Sequence, residues 1–264
     1  NRGLNQTQDR VSTGLKVASG KDNAAYFAVS ETMKGDSGMF KAINEGMSAT
    51  KNSVATARLG AETVSDIAQQ IVERVAFAQT DGVDRADVQL EIDALVKNMT
   101  SAIGQATFNG NSLVADDTTD VTVVNGVTRT AGTNSDEFGA TTFAFKGVDL
   151  GAIKDAFDAI ELETMTVAAG GATMADKLKT AEGALGDAIA AATSLGITEN
   201  ALDGQMEFIE SLTDTLNSGV SSMVDADMEE EAARLQAYQV QQQLATQSLS
   251  IANQAPQNIL SLFR

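Results

Sequence analysis

"INEGMSATKNSVATARLGAETVSDIAQQIVERVAFA", residues 43–78, decides the fold. Ile43, Met47, Thr50, Val54, Ala57, Ala61, Val64, Ala68, Ile71, Val75 and Ala78 step by four and three in strict alternation, and all but Thr50 are apolar. Such a stripe, repeating every 3.5 residues on average, is the seam of a coiled coil or of a long bundle helix. At about 1.5 Å per residue the stretch makes a rod of about 54 Å. Its many alanines imply close packing against a partner helix.

Working outward, Thr80-Asp81-Gly82 is a turn signal, and Val88, Ile92, Leu95, Met99 and Ile103 mark a shorter antiparallel helix after it. The pattern changes over 107–150, which is rich in Thr, Val, Gly, Asn and Asp. "DVTVVNGVTRT", 120–130, sets Asn125-Gly126 between alternating residues and predicts a type I′ hairpin turn there; "TTFAF", 141–145, predicts another strand. Helix returns as a short piece, Ala156 to Leu162, and then as a stripe through Met174, Leu178, Ala181, Leu185, Ala188, Ala192 and Leu195. Gly196 and Thr198 predict a break before Leu202, Met206, Ile209, Thr213, Leu216, Val220 and Met223. The final seam, Leu235, Tyr238, Gln242, Ala245, Leu249 and Ala252, is polar and slight, so that helix needs partners. The expected class is mainly α: long antiparallel helical rods or a coiled coil formed by N- and C-terminal arms, with a small β-rich central insertion.

Composition removes whole classes of chemistry. The chain has no Cys, His or Trp and one proline, Pro256. Thiolate nucleophiles, disulfides, histidine bases and zinc peptidase motifs are therefore excluded as written. Carboxylates alone can serve glycosidases or hold calcium, which leaves a glycan- or calcium-binding or hydrolytic module built on Asp116, Asp117, Asp120, Asp136 and Glu137 as a competing reading. EF-hand spacing is missing, and loop acids usually just face solvent.

The net charge of −18 argues against nucleic acid as a partner. Its distribution is uneven: residues 1–58 hold eight bases and five acids, whereas 180–233 hold twelve acids and no base. Such halves favour contact between the arms, in one subunit or between neighbours, with charge that simply serves solubility as the other reading. No apolar run approaches a membrane span, and no secretory signal opens the chain, so no membrane partner is expected. The start at Asn1 instead of Met predicts a processed or truncated chain.

"GLKVASGKD", 14–22, imitates a phosphate loop and fails its test. Five residues instead of four separate Gly14 from Gly20, Asp22 follows Lys21, and no apolar strand precedes the loop.

At this point the chain resembles bacterial flagellin. "RVSTGLKVASGKDNAAYFAVSETM" (Arg10 to Met33) is similar to the family's N-terminal signature, "TFNGNSLV" (107–114) to the motif entering its central region, and "LATQSLSIANQAPQNILSLFR" (244–264) to its C-terminal end. The resemblance implies an inner terminal coiled-coil domain at 1–20 and 228–264, a connector at 21–35, an outer helical rod domain at 36–106 and 174–227, and a central β-rich region with a short helix at 107–173. The connector reading answers the loop question: within Ser12 to Met33, Gly and short polar side chains let the chain pass between layers. The family has further apolar turns before the position of Asn1, so the inner helix is expected to lack its start.

The resemblance further implies a non-enzymatic subunit that polymerises with itself into the extracellular filament, with no cofactor. An export chaperone and cap and junction proteins of the flagellar type III pathway are the implied partners. Candidate subunit-packing residues are Arg10, Ser12, Gly14, Leu15, Lys21, Asp22, Asn23, Leu235, Tyr238, Leu249, Ile259, Leu260, Leu262 and Phe263. A hook-filament junction protein is the alternative, but "NQAPQNILSLFR" and the compact centre favour flagellin. The family's contact with the flagellin-sensing Toll-like receptor uses an Arg-Val-Arg-Glu-Leu pattern. Aligning "QQIVERVAFAQ" on Arg74 and Gln79 puts Val72 at the first Arg and Ala76 at the Leu, which implies weak or no recognition.

Overall fold

The computed structural model describes residues 2–115, 120–130, 137–162 and 173–262. The elements are α1 (Arg2–Thr13), α2 (Ala24–Phe77), α3 (Arg85–Gln105), β1 (Thr107–Phe108), β2 (Asn111–Ser112), β3 (Asp120–Thr130), β4 (Glu137–Lys146), α4 (Leu150–Asp158), α5 (Met174–Val224) and α6 (Met228–Leu262). They gather into two compact units, Phe40–Glu210 and Asn1–Met39 with Ser211–Arg264.

In the Phe40–Glu210 unit the alternating seam is the core. Met47, Val54, Ala61, Val64, Ala68, Ile71, Val75 and Ala78 are all fully buried, and Ala57 nearly so. Thr50 is tolerated because its hydroxyl donates to the Gly46 carbonyl at 3.2 Å, one turn back. Ala181, Ala188, Leu195, Leu202 and Ile209 of α5 belong to the same core. Lys51 bonds Asp203 at 2.5 Å and Arg58 bonds Glu199 at 2.7 Å, so numbers rise on α2 as they fall on α5: the helices run antiparallel. Hydrogen bonding to Asp203 raises the Lys51 pKa above its ordinary value. α3 folds back after the predicted turn, where Gly82 takes φ 87°, and buries Val88, Ile92, Val96 and Met99.

α2 is longer than its seam predicted, 54 residues instead of 36. The expected break at Gly196 and Thr198 is overturned, since α5 is continuous. Thr198 is buried and turns its hydroxyl onto the Ser194 carbonyl at 3.0 Å, while Leu195 and Leu202 on either side of the pair are both fully buried. Tertiary burial outweighs the local breaker signal. The short helix is also displaced: α4 starts at Leu150 on the Asp149 side chain, which accepts from the Ala152 N–H at 2.8 Å. Ile160 and Leu162 stay buried beyond its end, held by Gln89, which donates to the Ile160 carbonyl and accepts from the Leu162 N–H.

The hairpin turn at Asn125-Gly126 is corrected as well. Both residues lie inside β3, at a bulge where the antiparallel register with β4 shifts between Val124 and Gly126. "TTFAF" lies in β4 as expected. The two-residue turn is instead made by the other Asn-Gly pair, Asn109-Gly110, with φ 49° and 80°, joining β1 to β2. Two positive φ angles in succession are what a type I′ turn requires.

Candidate functional site

The second unit, Asn1–Met39 with Ser211–Arg264, carries the motif that imitates a phosphate loop. α1 stops at Thr13, and Gly14 follows with φ 73°, a backbone conformation open to glycine. The chain then zips onto the segment between α5 and α6. Lys16 and Val17 N–H groups reach the Val224 carbonyl at 2.6 and 3.2 Å, the Ala226 N–H reaches the Gly14 carbonyl at 2.9 Å, and Leu15 pairs with Asp225. Val17, Val220 and Val224 close a small core under Leu15, Phe27 and Met33.

The backbone amides that a phosphate would need are already bonded. Asp22 accepts from the Ala18 N–H (3.1 Å), the Ser19 N–H (3.0 Å) and the Ser19 hydroxyl (3.1 Å). Asn23 then starts α2, accepting from the Ala25 and Tyr26 N–H groups at 3.1 and 3.2 Å. The irregular part of the expected connector is thus confined to 14–23, and Ala24 to Met33 is helical.

α1 lies antiparallel on α6. Near one end the Arg10 guanidinium donates to Glu231 at 3.0 Å; near the other, a Cβ added to Gly3 would meet the Tyr238 ring at 3.1 Å. Glu231 is 5% exposed, with Arg234 as its second cation at 3.5 Å. Arg10 with Glu231 is one contact between a base of the N-terminal segment and an acid of the C-terminal one inside a single chain.

Of the candidate packing residues, Arg10, Gly14, Leu15, Asp22 and Asn23 come together at this junction. Ser12 and Lys21 are exposed beside it. Leu235 is half-buried and Tyr238 is 37% exposed. Leu249 stands apart at 62% exposed, in a run with Val240, Leu244 and Ile251 that are all more than half exposed. Ile259, Leu260 and Leu262 belong to the α6 backbone, and Phe263 lies outside the described residues. Reading the sequence missed Glu231, Val17 and Val224, whereas Val220 is a position of the expected α5 stripe. A short run of acids gives no sign that one of them turns inward, but Asp227 before "MEEE" is a legible helix start, and its side chain accepts from the Glu229 and Glu230 N–H groups.

Most of the acidic module, the Glu137 side chain included, lies outside what the structure describes. Asp116, Asp117 and Asp136 lie outside the described residues, Asp120 is 3.8 Å from Lys146, and no group of acids able to hold a metal ion occurs among the described residues. No described helix is long and apolar enough to cross a membrane.

Two family models match: "Bacterial flagellin N-terminal helical region" over residues 1–119 and "Bacterial flagellin C-terminal helical region" over 178–263. Similar proteins include a flagellin of Brucella melitensis, 35% identical over all of this chain and 93% of its own length. Flagellin FljM of Caulobacter vibrioides is 32% identical over all of this chain and 92% of its own. Flagellin A of Rhizobium meliloti is 28% identical over 99% and 94%.

Proposed function

This chain belongs to the bacterial flagellin family, and from that premise we propose that the α1–α6 pair and its junction are the packing elements of the subunit. The protein is a structural subunit of the flagellar filament, an extracellular component, and serves motility. The observation that carries the packing proposal is the bare apolar run on α6. An otherwise well-capped helix with Val240, Leu244, Leu249 and Ile251 in solvent buries too little apolar surface to offset its ordering cost of about 1–2 kcal/mol per residue, and gains that burial only among other subunits. We assign 1–20 with 228–264 to the inner coiled coil, 21–35 to the connector, 36–106 with 174–227 to the outer rod, and 107–173 to its central region. Export through the flagellar type III route, with a chaperone and cap and junction proteins as partners, is part of the same proposal, supported by family membership.

Seeded growth tests the reading. Full chain added to fragments of its own filament is expected to lengthen them, and faster as NaCl rises from about 10 to about 150 mM, because screening shortens the reach of repulsion between subunits of charge −18. No lengthening at any salt would overturn the filament reading. A rate that falls steadily with salt would show that attraction between the arms of different subunits drives growth.

Weak recognition by the flagellin-sensing Toll-like receptor belongs to the same proposal. Val72 is half-buried against the core, Ala76 offers little apolar area, and Arg74 is engaged by Glu91 at 3.1 Å. A cell reporter should respond far less than to a strongly active flagellin; equal potency would refute this.

A further inference from the structure

The two Asn-Gly pairs, Asn109-Gly110 and Asn125-Gly126, share a reactivity as well as a fitness for turns. With no Cβ beside it, a glycine nitrogen is unshielded and can attack the side-chain carbonyl carbon of the asparagine before it. The fold decides whether it does, and it holds the two pairs differently. Asn109 and Gly110 are both exposed, at the tip between two strands of two residues each. Among the described residues, neither the Gly110 N–H nor the Asn109 carboxamide has a hydrogen-bond partner. Ring closure needs the peptide between them to swing out of its turn geometry, φ 49° and 80°, and no bond at the Gly110 N–H resists the swing. Asn125 and Gly126 sit instead within the β3–β4 pairing, with Gly126 opposite Thr141 and the Asn125 carboxamide anchored on Gln205 at 3.3 Å. The same swing there would have to open the strand pairing.

We propose that Asn109 is a site of spontaneous modification, converted with age to aspartate and isoaspartate, while the fold protects Asn125. The Gly110 nitrogen, giving up its proton to solvent, bonds to the Asn109 Cγ. The bond from Cγ to the carboxamide nitrogen breaks, and that nitrogen takes up a proton and leaves as ammonia. Water then opens the five-membered imide. Attack at the side-chain carbonyl gives aspartate; attack at the main-chain carbonyl gives isoaspartate, whose backbone path is longer by one methylene. Nothing is oxidised or reduced, and water is the one co-reactant. Either product adds a carboxylate to a groove of about 450 Å³ that Asn109 lines together with Asp120. Isoaspartate also ends the two-residue turn, whose geometry has no place for a further backbone atom.

One tryptic peptide, residues 98–129, contains both pairs, so each serves as the control for the other. The intact chain is held in mildly alkaline buffer, and fragment masses assign each gain of about 1 Da to its position. Asn109 is expected to convert at least about tenfold faster than Asn125 in the folded chain, and the two rates should come within about threefold of each other in urea. Labelling by a methyltransferase specific for isoaspartate should rise in step with conversion at Asn109. Equal rates at the two positions in the folded chain, or conversion of Asn125 first, would overturn the proposal. A preference for Asn109 that is as large in urea would overturn it too, because neighbouring sequence and not the fold would then set the rates.

Discussion

Val64→Asp is expected to unfold the Phe40–Glu210 unit at ordinary temperature. Val64 is fully buried between Ala61 and Ala68 on the seam, and the groups around it in the core are apolar. A carboxylate there has no cation and no donor within the seam. It must either remain charged without a partner or bind a proton, and both routes cost several kcal/mol. Whole domains hold together by only about 5–15 kcal/mol, so one such substitution removes much of the margin. Val124→Asp is the comparison: Val124 is 42% exposed on β3, and the change should cost less than about 1 kcal/mol. Circular dichroism on heating checks both. A melting temperature unchanged by Val64→Asp would mean that the seam is not the core.

The second large effect is expected at Arg10→Ala. Glu231 is buried, Arg10 holds its Oε1 at 3.0 Å, and its Oε2 has no hydrogen-bond partner among the described residues. Removing one partner of a buried pair leaves the other charge stranded, at a cost of about 3–5 kcal/mol; Arg234 at 3.5 Å keeps the loss at the lower end. Hydrogen exchange should then show α1 amides losing about a hundredfold of protection, with those around Val64 and Ile71 unchanged. Arg10→Met combined with Glu231→Leu should restore much of the loss, because an apolar pair strands no charge. If Arg10→Ala leaves α1 protection intact, the ion pair does not hold the two helices together.

Where the sequence was read through periodicity, the structure agrees on which face is covered. The seam from Met47 to Ala78 is buried apart from half-buried Thr50, and Val88, Ile92 and Met99 are buried on α3, because one helix face must be covered whatever covers it. Single positions slip by one, with Val96 buried more deeply than Leu95 and Ala191 more deeply than Ala192, and the expected α6 seam is exposed from Tyr238 to Ala252. Where it was read through single local signals, the outcome turned on what the rest of the chain does. Asn-Gly occurs twice, and both pairs are chemically fit for a two-residue turn. Only Asn109-Gly110 makes one, while Asn125 is held inside β3, with its amide donating to Gln205 of α5 at 3.3 Å. Gly196 and Thr198 failed as a break for the same reason, being outweighed by buried leucines nearby. At the junction, Asp22 and Asn23 were legible as polar turn residues. The pairing of Arg10 with Glu231 was not, since 221 positions separate them and only the halves' opposite charge hinted at it.

The helix starts hold a consequence for how the chain recovers its shape. Asn23, Asp84, Asp149 and Asp227 each bond N–H groups two or three residues ahead, and Thr173 and Asp176 bond each other reciprocally; the Thr173 backbone N–H, and then its hydroxyl, donate to the Asp176 carboxylate and draw its pKa below the usual carboxylate range. Each of these marks begins its helix from at most a few neighbouring residues, with no help from a distant segment. Helical turns nucleate within about a microsecond, long before two arms separated by most of the chain can meet. In a chain emptied of tertiary structure the caps therefore fix the frame in which helical turns form, although those turns persist only once a partner covers them. Pairing then selects turns already in register, and the slow step is expected to be the meeting of the arms.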